Sequence, residues 1–178
     1  MLRYLIMLSA LTVSLNVMAN QAEDDTSTLF KPKMSISLDY IPAENNMYGI
    51  TLAPYHFDTD YSSWGYYIGY AASQKEDLAL IKPAEGYTQD KMWRFGLSYS
   101  LTQQLSLYGG AVHYSLETHS TTGKTPKIVD GEPIWEKESD TSWGGELGIR
   151  YMMDMGLMLG VGYNTSTDSA VISVGYVM

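Results

Sequence analysis

The chain has 178 residues, about the length of one domain, because domains cluster at roughly 100 to 150 residues. Charged residues make up only 17% of the chain, and 20 acidic against 11 basic residues give a formal charge of −9. This balance excludes a nucleic-acid binder, which needs a basic surface, and the lack of cysteine excludes disulfides, Cys-ligated zinc and thiol catalysis.

The first residues of the chain are typical of a secretory signal. Arg3 supplies a short basic region, residues 5–15 are mainly apolar, and small or modest residues lead up to Ala19. The apolar stretch is about half as long as the ~20 residues that a transmembrane helix needs. We therefore predict a signal peptide over residues 1–19, cleaved near Ala19. Residues 20–32 are polar and show no period, so we expect a flexible N-terminal lead-in there.

From residue 33 onwards the sequence alternates between two kinds of residue. In residues 34–40, Met, Ile, Leu and Tyr alternate with Ser, Ser and Asp, a period of two that is typical of a strand with one apolar face. Seven further segments behave similarly, so we predict eight strands. In residues 104–116 the apolar residues change phase, and we expect a bulge near Gly109 and Gly110 to reconcile the two phases.

The direction of the apolar face separates a soluble barrel from a membrane barrel. A soluble barrel would present Lys, Arg, Asp and Glu outward, but the second face here is mostly Gly, Ser, Ala and Thr, which suit a narrow lumen. No apolar-phase position in the strands is charged, and aromatic residues lie near the strand ends as in membrane-barrel girdles. We therefore predict an all-β fold, an eight-stranded antiparallel transmembrane up-and-down β-barrel, over residues 33–178. A secreted soluble barrel is the alternative. The girdle candidates are Trp64, Trp93, Tyr99, Trp143, Tyr163 and Tyr176.

The predicted connections differ in length according to the end of the barrel at which they lie. With both termini in the periplasm, residues 57–61, 102–104 and 153–155 are short periplasmic turns. The two long connections, residues 73–91 and 117–140, are then extracellular loops. Short periplasmic turns and long outer loops are the usual pattern of such barrels.

With this pattern, residues 33–178 resemble the small eight-stranded β-barrels of the Gram-negative outer membrane, of the OmpX, OmpW and OmpA membrane-domain types. The most specific part is the C-terminal strand, where Ile172, Val174 and Tyr176 alternate as in the signal read by the barrel-assembly machinery. Met178 stands where that signal usually has an aromatic residue. The resemblance implies a place in the bacterial outer membrane, with outer-membrane lipid, lipopolysaccharide and the assembly machinery as partners.

Four ionisable residues share the lumen phase of the predicted strands: Asp39, Arg94, Glu146 and Arg150. The interior of an eight-stranded barrel is just wide enough to be filled by side chains. Buried charges need partners, because an unpaired buried charge costs several kcal/mol. We therefore expect a paired cluster of two acids and two arginines that plugs the lumen, with a gated polar path as the alternative.

His113 and Ser115 lie two residues apart and share a strand face, where an imidazole and a hydroxyl can act as base and nucleophile, with Glu117 or Glu146 as orienter. The pair resembles the His-x-Ser of the outer-membrane lipid A deacylases of the PagL type, although Leu116 stands where that family has Asn. The resemblance implies an acyl hydrolase acting on lipid A, which we keep as an alternative to a protein without catalytic residues.

The remaining candidate residues indicate contact with a partner instead of a metal or cofactor site. The three histidines lack metal-ligand spacing and the acidic run in residues 132–140 lacks the order of an EF-hand, so we expect neither a metal nor a cofactor. Ile134 and Trp135, flanked by charges, are candidates for contact with an extracellular partner, unless they fold back onto the barrel rim. The sequence thus favours a non-enzymatic structural or surface-interaction protein that acts through two long extracellular loops. The alternatives are the lipid A acyl hydrolase and a narrow channel or carrier for small molecules.

Overall fold

The computed structural model describes residues 33–55, 63–80, 82, 84–121, 128–129 and 132–178. The predicted signal peptide over residues 1–19, the lead-in over residues 20–32 and the turn at residues 57–61 lie outside the described residues. Within the described ranges, no helix is long and apolar enough to cross a membrane.

The described part of the chain contains eleven strands. They are β1 (Met34–Ile41), β2 (Met47–Pro54), β3 (Trp64–Ser73), β4 (Glu76–Asp77), β5 (Gly86–Ser100), β6 (Leu105–Thr121), β7 (Ile128–Val129), β8 (Glu132–Pro133), β9 (Trp135–Met152), β10 (Leu157–Asn164) and β11 (Ser169–Val177).

Eight of these strands close into a barrel. Each pairs antiparallel with the barrel strands that precede and follow it in the chain, in the order β1, β2, β3, β5, β6, β9, β10 and β11. The pairing of β1 with β11 closes the ring. The short strand β4 pairs with β5, and β7 pairs with β8. The predicted eight-stranded antiparallel up-and-down barrel is confirmed.

The two faces of the strands have the predicted orientation. Leu97, Ile149 and Val161 are 51%, 43% and 52% exposed on the outer wall, whereas Ser98 and Arg150, the next residues along the strands from the first two, are buried in the lumen. Because successive side chains of a strand point to opposite faces, one apolar and one polar surface result. The barrel therefore presents its apolar face to its surroundings.

The prediction of a bulge near Gly109 and Gly110 was wrong. Strand β6 pairs residue for residue with β5 over the whole of their shared length. The phase change has another cause, since Tyr108 and Val112 are large side chains buried in the lumen. Space for the Tyr108 ring comes from the neighbouring strand β9, because a Cβ added to its register partner Gly148 would lie 2.4 Å from its Cζ atom.

Three strands are much longer than the others. Strands β5, β6 and β9 have 15, 17 and 18 residues, and the other five barrel strands have eight to ten. They project at the end opposite the chain termini as a paired sheet that we call the extension, made of residues 86–91, 115–121 and 135–141.

The boundaries predicted for the two long loops were therefore wrong. Much of residues 73–91 and 117–140 forms strand rather than loop. Both faces of the extension are largely polar, so its strands carry no alternation of apolar and polar residues from which they could be predicted.

Candidate functional site

The lumen brings together three of the four charged residues that were predicted to line it. Arg94 Nη1 lies 2.9 Å from Asp39 Oδ2, and Arg94 Nε lies 2.7 Å from Glu146 Oε2. All three side chains are fully buried. Because Asp39 is on β1, Arg94 on β5 and Glu146 on β9, one guanidinium connects three separate parts of the barrel wall.

Hydroxyl groups complete the surroundings of the two carboxylates. Thr51 and Ser173 donate hydrogen bonds to the two oxygens of Asp39, at 2.5 Å and 2.6 Å. Tyr67 donates a hydrogen bond of 2.5 Å to Glu146 Oε1. Sequence reasoning missed these three residues, because their positions in the lumen phase show that they face inward but not which charge they meet.

Arg150 does not take part in the expected pairing of arginines with acids. Its guanidinium carbon lies 3.9 Å from the ring centroid of Tyr108 and 5.2 Å from that of Tyr67, and its Nη1 donates to the Ser98 hydroxyl at 3.3 Å. A cation over an aromatic face is stabilised by the quadrupole of the ring. The cluster therefore combines one arginine that holds two acids with a second arginine that stacks on tyrosines.

Apolar side chains pack across the lumen on both sides of this charged layer. The layer toward the extension consists of Ile41, Met47, Ala71, Met92, Val112 and Val171. The layer toward the chain termini consists of Tyr55, Met158 and Val177. The buried charges therefore lie between two apolar layers, where low polarity strengthens their mutual attraction.

The candidate catalytic residues His113, Ser115 and Glu117 share one face of β6, on the outer side of the barrel. Their side chains contact residues of neighbouring strands instead of one another. The His113 ring packs edge-on against Trp143, with centroids 4.8 Å apart, and the Ser115 hydroxyl lies 2.9 Å from that of Ser139. Among the hydrogen bonds of the described residues, none joins His113 to Ser115. The arrangement of base and nucleophile that an acyl hydrolase needs is therefore not formed between them.

Glu117 is the centre of an ion-pair cluster in the extension. Lys137 Nζ lies 2.8 Å from its Oε1, Lys91 Nζ lies 2.7 Å from its Oε2, and His119 Nε2 lies 3.4 Å from the same Oε2. The hydrogen bonds from Lys137 and Lys91 lower the pKa of Glu117 to about 2, and the bond to Glu117 raises the pKa of Lys91. One carboxylate thereby connects all three strands of the extension.

An aromatic row marks where the apolar outer wall ends and the extension begins. Tyr70, Trp93, His113 and Trp143 are register partners on β3, β5, β6 and β9. The rings of Tyr70 and Trp93 lie 4.7 Å apart, and both tryptophans are exposed. Aromatic residues of this kind gather at the boundary between membrane and water, so the row indicates the level of that boundary.

The two candidate contact residues, Ile134 and Trp135, lie at the tip of the extension. Both are exposed, and Trp135 is the first residue of β9, paired with Thr121. The Trp135 ring lies 6.0 Å from that of Tyr87, which in turn stacks on His119. Trp135 therefore rests partly on the wall of the extension and keeps one side open.

In the part of the chain that the structure describes, no group of three or more His, Asp or Glu residues is arranged to hold a metal ion. Glu136, Glu138 and Asp140 of the extension are exposed and follow one another along one face of β9, instead of converging on a point.

Comparisons with known proteins agree with this architecture. The structure is similar to that of Ail, the attachment invasion locus protein of Yersinia pestis, in complex with the heparin analogue sucrose octasulfate, with 16% identity and a TM-score of 0.53 over 84% of this chain and 100% of that one. It is also similar to a major outer membrane protein of Thermus thermophilus, with 10% identity and a TM-score of 0.53 over the same shares of the two chains. At these identities the likeness concerns the fold alone. A comparison with curated proteins found no match.

The model of the family described as "Outer membrane protein beta-barrel domain" matches residues 7–173, which is most of the chain. Since family, fold and outward apolar face agree, the protein belongs to the outer-membrane β-barrel domain family and is located in the bacterial outer membrane.

Proposed function

We propose that this protein is a non-conducting outer-membrane barrel that acts in contacts at the cell surface through its extension. The observation that carries the proposal is the continuation of β5, β6 and β9 beyond the aromatic row as a paired sheet. The described turns at the opposite end, residues 101–104 and 153–156, are short, as periplasmic turns are, so the extension points out of the cell.

The extension has the properties of an ordered contact surface. Its strands pair continuously up to the contact of Thr121 with Trp135, and the ion pairs of Glu117 tie the sheet together. A surface that is ordered before binding loses less conformational freedom when a partner binds. Ile134 and Trp135 at the tip supply exposed apolar area at its outer end.

The charge of the extension favours a partner with a basic surface. Glu136, Glu138 and Asp140 alternate along β9 on the face that continues the lumen side, and all three are exposed. The heparin analogue bound by the Yersinia pestis protein is an anion, and these carboxylates would repel a similar ligand. Complementary charge raises the rate of association and selects among partners.

The arrangement of the lumen supports the absence of conduction. Arg94 holds Asp39 and Glu146 across the interior, and apolar layers lie above and below them. An eight-stranded barrel leaves little space beyond its own side chains. A small-molecule channel would have to displace a buried ion pair, which is costly when either partner is left alone.

A matched pair of chains tests the surface role. In the trimmed variant, short glycine-containing turns replace residues 74–91 and 115–141, so that the sheet ends at the register row of Met92, Tyr114 and Ser142 and the whole extension is removed. Both chains are expressed in a non-adherent Gram-negative host, and the cells are placed on wells coated with a basic protein such as histone or an acidic one such as albumin.

We expect cells with the full chain to be retained on the basic coating more than cells with the trimmed chain. The heat-dependent gel shift of folded barrels serves as the control that the trimmed chain still folds. Equal retention of the two kinds of cell, or retention of the full chain no greater than that of the empty host, would contradict the proposed role.

A further inference from the structure

Methionine is concentrated at one end of the barrel. The described ranges contain eight methionines, and six of them lie at the end that carries the chain termini. Four of the six fall within residues 152–158, around the turn that joins β9 to β10. In the orientation proposed above, this end of the barrel faces the periplasm. The six residues are Met34, Met152, Met153, Met155, Met158 and Met178.

The turn between β9 and β10 places two of these methionines opposite each other. The Gly156 N–H donates to the Met153 carbonyl at 2.9 Å, and the Met153 N–H donates to the Leu157 carbonyl at 2.7 Å. Gly156 has a φ of 83°, a left-handed conformation that glycine adopts without steric cost. This is the pattern of a three-residue hairpin loop, which fixes the register of the two strands. Met152 and Met158 are therefore register partners.

The side chains of Met152 and Met158 point into the same part of the lumen. Both belong to the apolar layer toward the chain termini, where they pack with Tyr55 and Val177. Met158 is fully buried and Met152 is partly exposed. The Cβ atoms of directly opposed residues in an antiparallel pair are about 4.5 to 5.5 Å apart. The two thioether groups can therefore reach one ion between them.

Met155 lies at the tip of the same turn, three residues from Met152 and three from Met158. It is 73% exposed, more than any other described methionine. Because its side chain is unbranched and has three rotatable bonds, it can bring a third sulfur to the mouth of the lumen. Asp154 beside it is exposed, and its Oδ1 accepts a hydrogen bond from Gln104 Nε2 at 3.2 Å. The mouth of the lumen therefore carries a negative charge that attracts cations.

A set of thioether ligands selects one class of metal ion. Thioethers are soft ligands, and they prefer Cu(I) to the harder ions Mg²⁺, Ca²⁺ and Mn²⁺, which carboxylates bind. Because thioethers bring no negative charge, an ion with a single charge costs less to bury beside Tyr55 and Val177 than a divalent ion. The arrangement therefore favours Cu(I).

The other two methionines of the lumen lack this arrangement. Met47 and Met92 lie in the apolar layer toward the extension, and both are fully buried. Their register partners on the neighbouring strands are not methionines, and the sulfur of Met92 accepts a hydrogen bond from the Asn164 side chain at 3.1 Å. These two residues fill space in the core, and they provide a matched control for the pair near the chain termini.

We propose that Met152 and Met158 bind Cu(I), a soft monovalent ion, at the periplasmic mouth of the lumen, with Met155 as the third ligand. The site lies at the opposite end of the barrel from the extension. It stands whether or not the extension meets a partner at the cell surface.

The test uses the mature chain refolded in nanodiscs of zwitterionic phospholipid. Ag⁺ is the first probe, because it is a soft monovalent ion that keeps its oxidation state in air. Its binding is followed by calorimetric titration and native mass spectrometry in chloride-free buffer, with Zn²⁺ as the comparison ion. Cu(I), kept reduced by ascorbate in the absence of oxygen, is then titrated against a chromophoric chelator. The variant is Met152→Leu with Met158→Leu, and the control is Met47→Leu with Met92→Leu, since leucine nearly conserves the volume of methionine.

We expect the wild type and the control to bind one Ag⁺ or Cu(I) ion per chain. Loss of a residue that only supports a metal ligand costs about 10- to 100-fold in affinity, so loss of two ligands should weaken binding by about 100-fold or more. In NMR spectra of methionine methyl groups, Ag⁺ should shift the signals of Met152, Met155 and Met158 and leave those of Met47 and Met92 in place. The heat-dependent gel shift shows that each variant is folded.

Equal binding of Ag⁺ by the wild type and by the variant that lacks Met152 and Met158 would overturn the proposal. So would an equal loss of binding in the control, or binding of Zn²⁺ as tight as that of Ag⁺. Shifts confined to the exposed methyl groups of Met34 and Met178 would indicate adventitious binding at the surface and would also overturn it.

Discussion

Replacing Tyr67 by Phe removes a single hydrogen bond from the charged layer of the lumen. The Tyr67 hydroxyl donates to Glu146 Oε1 at 2.5 Å, and both groups are buried. The phenyl ring keeps the volume of the tyrosine and its edge-on contact with Tyr108, whose centroid lies 5.5 Å away. A hydrogen bond to a charged group contributes about 1.5 to 3 kcal/mol, so we expect the free energy of unfolding to fall by about 2 kcal/mol.

Tyr108→Phe is the matched control for this change. Tyr108 lies in the same layer under Arg150, but its hydroxyl is buried and has no hydrogen-bond partner among the described residues. Removing it should leave the stacking of Arg150 intact and change the free energy of unfolding by less than about 0.5 kcal/mol. Urea unfolding in lipid vesicles, followed by tryptophan fluorescence, compares the variants. Equal losses for both, or none for Tyr67→Phe, would refute the role given to the Tyr67 hydroxyl.

Four further outcomes follow from the geometry. Arg94→Met leaves Asp39 and Glu146 buried without their cation and should lower the free energy of unfolding by about 3 to 5 kcal/mol, whereas a loss below about 1 kcal/mol would contradict the bridging role. Planar-bilayer recordings of the refolded wild type should show no steady conductance, and a steady conductance would contradict the proposed closed lumen. The pKa of Glu117 is about 2 in the folded protein, below its ordinary value of 4.5. Its stabilisation of the extension is therefore complete above pH 4.5 and is lost as the pH falls toward 2. Proteolysis of the extension by pepsin should accelerate over that interval more in the wild type than in Glu117→Gln, in which only the activity of pepsin itself changes with pH. Ser115→Ala should leave the acylation of lipid A unchanged in mass spectra, and the loss of an acyl chain only with the wild type would instead support the acyl hydrolase.

The barrel itself was predictable because the lipid-facing phase obeys a strict rule. A charge at the middle of the bilayer costs about 2 to 4 kcal/mol, so positions such as Leu97, Ile149 and Val161 accept only apolar residues. Their period of two specifies the strands and the direction in which they face. No such cost limits the length of the strands at the extracellular end, because both faces of a sheet can be polar where they are in contact with water.

The partners inside the lumen were not predictable from the same alternation. The period shows that Arg94 and Arg150 point inward, but which wall each one meets depends on the stagger of the strands around the barrel. Arg94 meets two acids, while Arg150 meets Tyr108 and Tyr67. The apolar phase of Tyr108 suggested a bulge, because the sequence does not show that Gly148, its register partner on β9, leaves room for the tyrosine ring on the lumen side.

The strands of the extension were not predicted, because the residues along β9 alternate there in charge and not in hydropathy. Residues 135–141 read Trp, Glu, Lys, Glu, Ser, Asp and Thr, so acids occupy every second position and neutral or basic residues the others. Below Trp143 the same strand alternates apolar with small or charged residues, and the change coincides with the aromatic row. A strand that leaves a membrane keeps its backbone pairing but loses the requirement for an apolar face. Where its two faces then carry different charge, the period of two persists as an alternation of charge, and that alternation can be searched for in other barrels whose strands extend beyond the bilayer.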